Sequence, residues 1–388
     1  MTWWRLLWRA LRGRGAQGDG DWPGVNLIGY ATGGLGLGET LRRFAEALDE
    51  AGLPFCVMDV QVNLGERGRD ERLARWLVSE PRHPVNLLFV NADQLPDVRR
   101  HLGEAVFAGR RSIGYWFWEL EGFPAAWHGG FDLVDEVWTA TRFVQQALAA
   151  HSGKPVRIVP HPVVLPTGIT PDRAALGLPA DPFLFLFTFD VHSFLSRKNP
   201  QGAIAAFRRA FPADDQRAAL VLKSINGARA PQALEVLREA AGGDPRILFI
   251  DGFLPYERAM SMVAACDAYV SLHRSEGFGQ GLAEAMALGK PVVATAYSGN
   301  MDFMDDGTAA LVPAGRVALG PQDYPYGEGQ VWAEPDVEAA AKLMRRLVDE
   351  PAWGHSLGQA AAAAVARTQS REACVAGMRQ ELGGGEHR

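Results

Sequence analysis

Glu276 and Glu284 stand eight residues apart across Gly277-Phe278-Gly279-Gln280-Gly281-Leu282, between two apolar runs, Ala268–Leu272 and Pro291–Ala294. The first run predicts a buried parallel strand. The spacing after it predicts a turn and a helix over 282–288, stopped by Gly289, and the second run predicts the next strand. Glycines at 277, 279 and 281 let a ligand reach the backbone, and a new helix offers unpaired N–H groups and a positive dipole end to an anion. Glu276 in the turn and Glu284, expected in the first helical turn and pointing back, flank that anion site. Carboxylates repel a phosphate, so the work left to them is accepting hydrogen bonds from sugar hydroxyls. An anion site beside hydroxyl acceptors suits a nucleotide sugar. Read plainly, the same residues make a turn whose glutamates are solvated or cap the helix.

Cations stand at two other strand ends. Arg197-Lys198-Asn199-Pro200 follows the apolar run 183–189, and Lys223 closes the run 219–223. Departure of a nucleoside diphosphate needs negative charge stabilised, and fixed cations in a low-dielectric cleft supply this without a metal. A lone lysine at a strand end is ordinarily a solvated charge. The glycine loop Gly33–Gly38 does not fit G-x-G-x-x-G in any register, because Glu39 or Leu41 stands where the third glycine is needed. Hydride transfer on a dinucleotide thereby loses its main support. Asp19-Gly20-Asp21 follows no strand, and the nine histidines form no HxH or HxxxH pair, so neither metal nor cofactor is expected.

The string from His273 to Val293 resembles the E-x7-E signature of glycosyltransferase family 4, the retaining nucleotide-sugar transferases of GT-B fold. The resemblance spans residues 25 to 370 and is stronger in the second half. It implies a metal-independent enzyme that moves a hexose from a UDP- or GDP-sugar to a glycan or lipid-linked acceptor, in bacterial polysaccharide assembly. It also implies catalytic roles for Glu276, Arg197 and Lys198. Donor contacts would come from Gly36, Lys223, Gly277, Phe278, Gly279, Gln280, Gly281, Leu282 and Glu284, with Glu284 on the ribose diol. Many members place a histidine near the end of the fourth strand. This chain has Gly114-Tyr115-Trp116-Phe117-Trp118-Glu119 there, which makes Trp116, Trp118 and Glu119 candidates for acceptor or sugar contact. Tryptophans in a buried strand are equally often core. Two rivals share these residues: a nucleotide-sugar epimerase of the same fold, and a catalytically silent scaffold of a glycan-assembly complex.

The elements that must position these groups follow an α/β pattern. With 388 residues, 47% hydrophobic and 22% charged, two domains of similar size are expected. Strands at 25–30, 54–60, 85–91, 112–118, 136–140 and 156–159, with helices at 39–51 and 141–151, predict a first doubly wound Rossmann-like domain over 25–165. Proline-rich 160–179 reads as the hinge. A second such domain over 166–350 holds strands at 183–189, 219–223, 247–250, 268–272 and 309–312, and helices at 200–211, 255–265 and 335–349. Residues 313–329 read as a loop and 351–388 as a C-terminal helix and tail. A net charge of −6 argues against nucleic acid, and three scattered cysteines suit a reducing cytoplasm. No apolar run reaches the roughly 18–20 residues of a membrane span. Residues 1–14, with three tryptophans and four arginines, predict an amphipathic segment able to contact the inner face of the plasma membrane. A disordered start or a docked helix would look the same. Residues 13–24 read as its tether.

Overall fold

The computed structural model describes residues 22–33, 36–62 and 70–383. The tryptophan-rich segment 1–14 and Asp19-Gly20-Asp21 lie outside the described residues, as do Gly34 and Leu35. The first half is built from β1 (Val25–Gly29), α1 (Gly36–Ala51), β2 (Phe55–Asp59), β3 (Val85–Phe89), α2 (Leu95–Leu102), β4 (Arg111–Tyr115), β5 (Glu136–Thr139), α3 (Arg142–Ala149) and β6 (Val156–Ile158). Its strands form one parallel sheet in the order β2-β1-β3-β4-β5-β6.

The second half runs through β7 (Phe183–Asp190), α4 (Leu195–Lys198), α5 (Pro200–Ala210), β8 (Ala218–Ile225), α6 (Pro231–Ala241), β9 (Ile247–Asp251), α7 (Tyr256–Ala265), β10 (Ala268–Ser271), α8 (Gln280–Ala287), β11 (Val292–Thr295) and β12 (Ala310–Val312). Its parallel sheet has the order β12-β11-β10-β7-β8-β9. Every residue of β1, β3, β10 and β11 is buried, as strands covered on both faces must be. That is why their sequences are mostly apolar, with Asn26 of β1 and Asn86 of β3 buried as a pair bonded to each other at 2.8 Å.

Four features depart from expectation. α2 and α6 add two helices to those expected, although α6 opens on Pro231, buries Leu234, Leu237 and Ala241 along one face and stops at left-handed Gly242. The strand expected over 112–118 ends at Tyr115, so Trp116 and Trp118 stand beyond it. The loop expected over 313–329 contains β13 (Ala314–Ala318), which pairs antiparallel with β14 (Val331–Pro335). Its glycines and prolines mask two strands of five residues each. Lastly, the C-terminal region divides. After α9 (Val337–Asp349), α10 (Pro351–Thr368) packs on α8, so closely that a Cβ on Gly358 would lie 2.1 Å from the Gly289 carbonyl oxygen. α11 (Arg371–Gly383) then returns to the first domain. There Arg371 pairs with Glu50, and Arg111 donates to the Glu381 carbonyl. The two crossing segments touch, with Val163 N–H donating to the Gln369 carbonyl at 2.7 Å.

Candidate active site

The turn from β10 to α8 places Glu276 on the floor of the cleft between the sheets. Its carboxylate accepts from Arg197 Nη1 at 3.0 Å and from Lys198 Nζ at 2.5 Å. Both cations lie on α4, a single turn that follows Phe194, a non-glycine residue at φ 62°. Asn199, left-handed at φ 54°, ends α4 and caps α5 through Gly202 N–H. Burial alone would raise the Glu276 carboxyl, but Lys198 and Arg197 outweigh it and hold the group at about 2. Burial presses the Lys198 ammonium down, against the pull of Glu276. Glu276 is therefore ionised between two donors. Its N–H donates to Ser298 Oγ at 2.8 Å, and Ser298 itself sits at φ 75°, local strain of the kind held at functional sites.

Gly279, at φ 91°, is the residue before α8. The first helical bond runs from Ala283 N–H to the Gly279 carbonyl, so the N–H groups of Gln280, Gly281 and Leu282 lie ahead of any intrahelical acceptor. Phe278 is buried between the rings of His161 and Phe303, at 4.8 and 5.1 Å. Gly277 faces the first domain: its carbonyl accepts from Thr141 Oγ1 at 2.8 Å, and a Cβ there would meet the Trp118 carbonyl oxygen at 2.9 Å. Because α8 begins at Gln280, Glu284 falls past the first turn expected for it. It is buried and ion-paired with Arg43 of α1 at 2.6 Å, across the cleft.

Four other expected residues are placed differently. Lys223 does not join Arg197 and Lys198; its ammonium donates to the carbonyls of Ser224 and Gly252, and its charged neighbour is Asp251. Trp116 and Trp118 have their rings covered, at 1% and 2% exposure, in an aromatic cluster with Phe123, Trp127 and Phe131. Of the readings weighed for them, the core one holds. Gly36 opens α1 with open space around its Cα. The position that demands glycine is Gly38, where a Cβ would lie 2.3 Å from the Tyr30 carbonyl oxygen.

Glu119 does reach the site. It accepts from the Tyr324 hydroxyl at 2.7 Å, and the Arg197 guanidinium carbon lies 5.8 Å from the centre of the Tyr324 ring. Tyr324 belongs to the arm between β13 and β14, which crosses from the second domain. Arg316 pairs with Glu121 at 2.5 Å, Gly122 N–H donates to Gln330 at 2.8 Å, and Leu319 and Trp332 pack into the first domain's core.

Sequence reasoning missed Arg43, Ser298, Tyr324 and Tyr256, whose hydroxyl lies 3.1 Å from Glu284 Oε1. One signal was available: Arg43 is a charge standing among Thr40, Phe44 and Ala47 on the buried face of α1. Among the described residues no group of three His, Cys, Asp or Glu could hold a metal ion, and no helix is long and apolar enough to cross a membrane.

A family model described as glycosyl transferases group 1 matches residues 169–364, just over half of the chain, a span that includes Arg197, Lys198, Lys223, Glu276, Glu284 and Tyr324. The chain belongs to this family. A D-inositol 3-phosphate glycosyltransferase of Arthrobacter sp. (strain FB24) is 30% identical over 192 residues, covering 49% of this chain and 40% of that protein. Less than half of that relative's length is therefore matched. Among solved structures, sucrose-phosphate synthase from Thermosynechococcus elongatus superposes with a TM-score of 0.66 at 20% identity, over 92% of this chain and 98% of the other. Anabaena HepE in complex with UDP and glucose gives 0.63 at 15% identity, over 93% and 99%. At such identities the likeness is one of fold, and that fold is GT-B.

In this group 1 chain the hinge carries a histidine with a measurable signature. His161 is buried, with Nε2 3.1 Å from Thr40 Oγ1. Burial, helped by nearby Arg43, lowers it to about 3. The unfolded chain takes up a proton near pH 6.5 and the folded chain does not, so stability present above about pH 6.5 is lost as pH falls toward 3, by up to about 1.4 kcal/mol per pH unit. Urea unfolding at about pH 7 and pH 5.5 is expected to show this slope, and His161→Gln to flatten it. An equal slope in the variant would remove His161 as the cause.

Proposed function

We propose that this chain is a retaining, metal-independent glycosyltransferase that moves a hexose from a UDP- or GDP-sugar to a glycan or lipid-linked acceptor in bacterial polysaccharide assembly. The observation that carries this reading is the ionised Glu276 held between Arg197 and Lys198 beside the start of α8. Arg197 and Lys198 outnumber the one carboxylate they bond, Glu119 being engaged by the Tyr324 hydroxyl, and the two cations face the donor diphosphate together with the N–H groups of Gln280, Gly281 and Leu282. As the bond from the sugar's anomeric carbon to the diphosphate oxygen breaks, charge grows on that oxygen. Arg197 and Lys198 offset it where water is scarce. The acceptor oxygen forms the new bond to the anomeric carbon, and its proton passes to the departing diphosphate, so no protein nucleophile is assigned. Glu276 accepts from a sugar hydroxyl and Glu284 from the ribose diol. HepE, bound to UDP and glucose on the same fold, supports a uridine or comparable nucleotide.

A thermal-shift screen of UDP-, GDP- and dTDP-sugars tests the donor half of this proposal, because a ligand that binds the native state alone raises its melting temperature. One UDP- or GDP-sugar is expected to stabilise by several degrees when present at about 100 times its Kd. A flat response to all three series would overturn the proposal.

A further inference from the structure

Three donors converge on one oxygen of Glu284. Arg43 Nη2 at 2.6 Å and Gln280 Nε2 at 2.9 Å meet Oε1, as does the Tyr256 hydroxyl at 3.1 Å, its one proton shared with the Val164 carbonyl at 2.8 Å. Among the described residues no donor meets Oε2. Tyr256 and Gln280 belong to Glu284's own domain, on α7 and α8, whereas Arg43 comes from α1 of the other. The Arg43 side chain is 1% exposed, and its Nη1 has no hydrogen-bond partner among the described residues. The Tyr256 ring lies 5.0 Å from its guanidinium carbon and fixes the plane of the fork. A buried guanidinium N–H without an acceptor is costly, and native structures seldom tolerate one unless it serves a ligand.

A hydroxyl group is the ligand chemistry that satisfies both ends of this arrangement. It can donate to Glu284 Oε2 and accept from Arg43 Nη1 at once. A phosphate oxygen could accept from Arg43 but would face the Glu284 carboxylate without a proton to offer. We infer that Arg43 is a ribose-recognition residue contributed by the first domain, reading a ribose hydroxyl jointly with Glu284. This rests on the reading of Glu284 as the ribose acceptor. It adds that ribose recognition requires both domains together, since half of the hydroxyl's hydrogen bonding comes from each. Arg43 also orients the carboxylate by occupying Oε1, so that Oε2 is the oxygen presented.

The test is calorimetric binding of UDP and GDP against their 2′-deoxy counterparts, using the full chain, Arg43→Met and Arg43→Lys. A site built to bond a hydroxyl strongly rejects the analogue that lacks it, so the unaltered protein is expected to prefer the ribonucleotide by at least about 10-fold. In Arg43→Met the ribonucleotide is expected to bind about as weakly as the deoxynucleotide, the ratio falling to within about two-fold. Arg43→Lys keeps the charge beside Glu284, and so the fold, but lacks the second planar N–H; it is expected to lose most of the ratio. A wild-type ratio in either variant, even with both affinities lowered, overturns the inference. Ribonucleotide binding without preference in the unaltered protein overturns it as well. If the unaltered protein binds neither UDP nor GDP, the UDP- or GDP-sugar reading itself falls.

Discussion

Lys198→Ala is expected to lower sugar transfer by about 10²–10³-fold, the usual cost of removing one donor aimed at developing charge, while leaving the fold intact. Glu276 keeps Arg197 as its partner in that variant, so no buried carboxylate is left alone. Glu276→Ala is expected to be at least as damaging to transfer and harder on the fold, because Arg197 and Lys198 would face each other without a counter-ion; breaking a buried pair from one side costs about 3–5 kcal/mol. Glu276→Gln retains the shape and separates these two effects. The measurement is turnover of the stabilising nucleotide sugar, as transfer or as slow hydrolysis, beside circular dichroism. Near-normal turnover in both Lys198→Ala and Glu276→Gln would sink the catalytic assignment. Acid gives a companion check. With the Glu276 carboxyl held at about 2, below its ordinary value, its contribution to stability is fully present above about pH 4.5 and is lost progressively as pH falls from there through about 2.

Gly299→Ala is expected to be the most disruptive addition of a single methyl group. A Cβ there would lie 2.1 Å from the Gly277 carbonyl oxygen, 2.6 Å from its carbon and 2.9 Å from the Glu276 carbonyl oxygen. All three are backbone atoms, so no side-chain rotation can relieve the clash, and Gly299 N–H already bonds the Glu276 carbonyl at 2.9 Å. The turn that carries Glu276 must move. The cost is expected to be about 1–3 kcal/mol in a urea titration, as for other overpacked sites, together with loss of nucleotide binding. Gly315→Ala, where a Cβ meets nothing within 4 Å, is the matched control. Wild-type stability and affinity in Gly299→Ala would show that the turn tolerates a shift this geometry forbids.

Much of this architecture was legible because buried parallel strands are mostly apolar. Runs such as Phe183-Leu184-Phe185-Leu186 and Val292-Val293-Ala294 announce themselves, and the glycines after β10 announce the turn. Glu276, Arg197 and Lys198 were legible as a set because each stands at the end of such a run. The first domain's part was not. Arg43 lies 241 positions from Glu284, and no local pattern records a partner at that distance. Lys223 looked like Lys198 in sequence, yet one carbonyl of its own strand and one just past the neighbouring strand β9 hold it. Trp116 and Trp118 looked available because the strand was expected to run through them; it stops at Tyr115 and their rings turn into the core. The arm was hidden by glycine and proline, and α11 by an end that gives no hint of which domain it serves.

The return of α11 bears on how halves of such proteins can be exchanged. A single cut in the hinge would graft a foreign second domain together with its own terminal helix, and that helix would have to find Glu50, Arg111 and the surface of α1 on an unfamiliar host. Two cuts are needed, one in the hinge and one at Gln369, where the crossing segments touch. The arm adds a third demand, since Arg316, Tyr324 and Gln330 are matched to Glu121, Glu119 and Gly122 of the other half. A recombinant that exchanges the second domain must therefore inherit it as an insert between two pieces of the first, with the arm's footprint carried along.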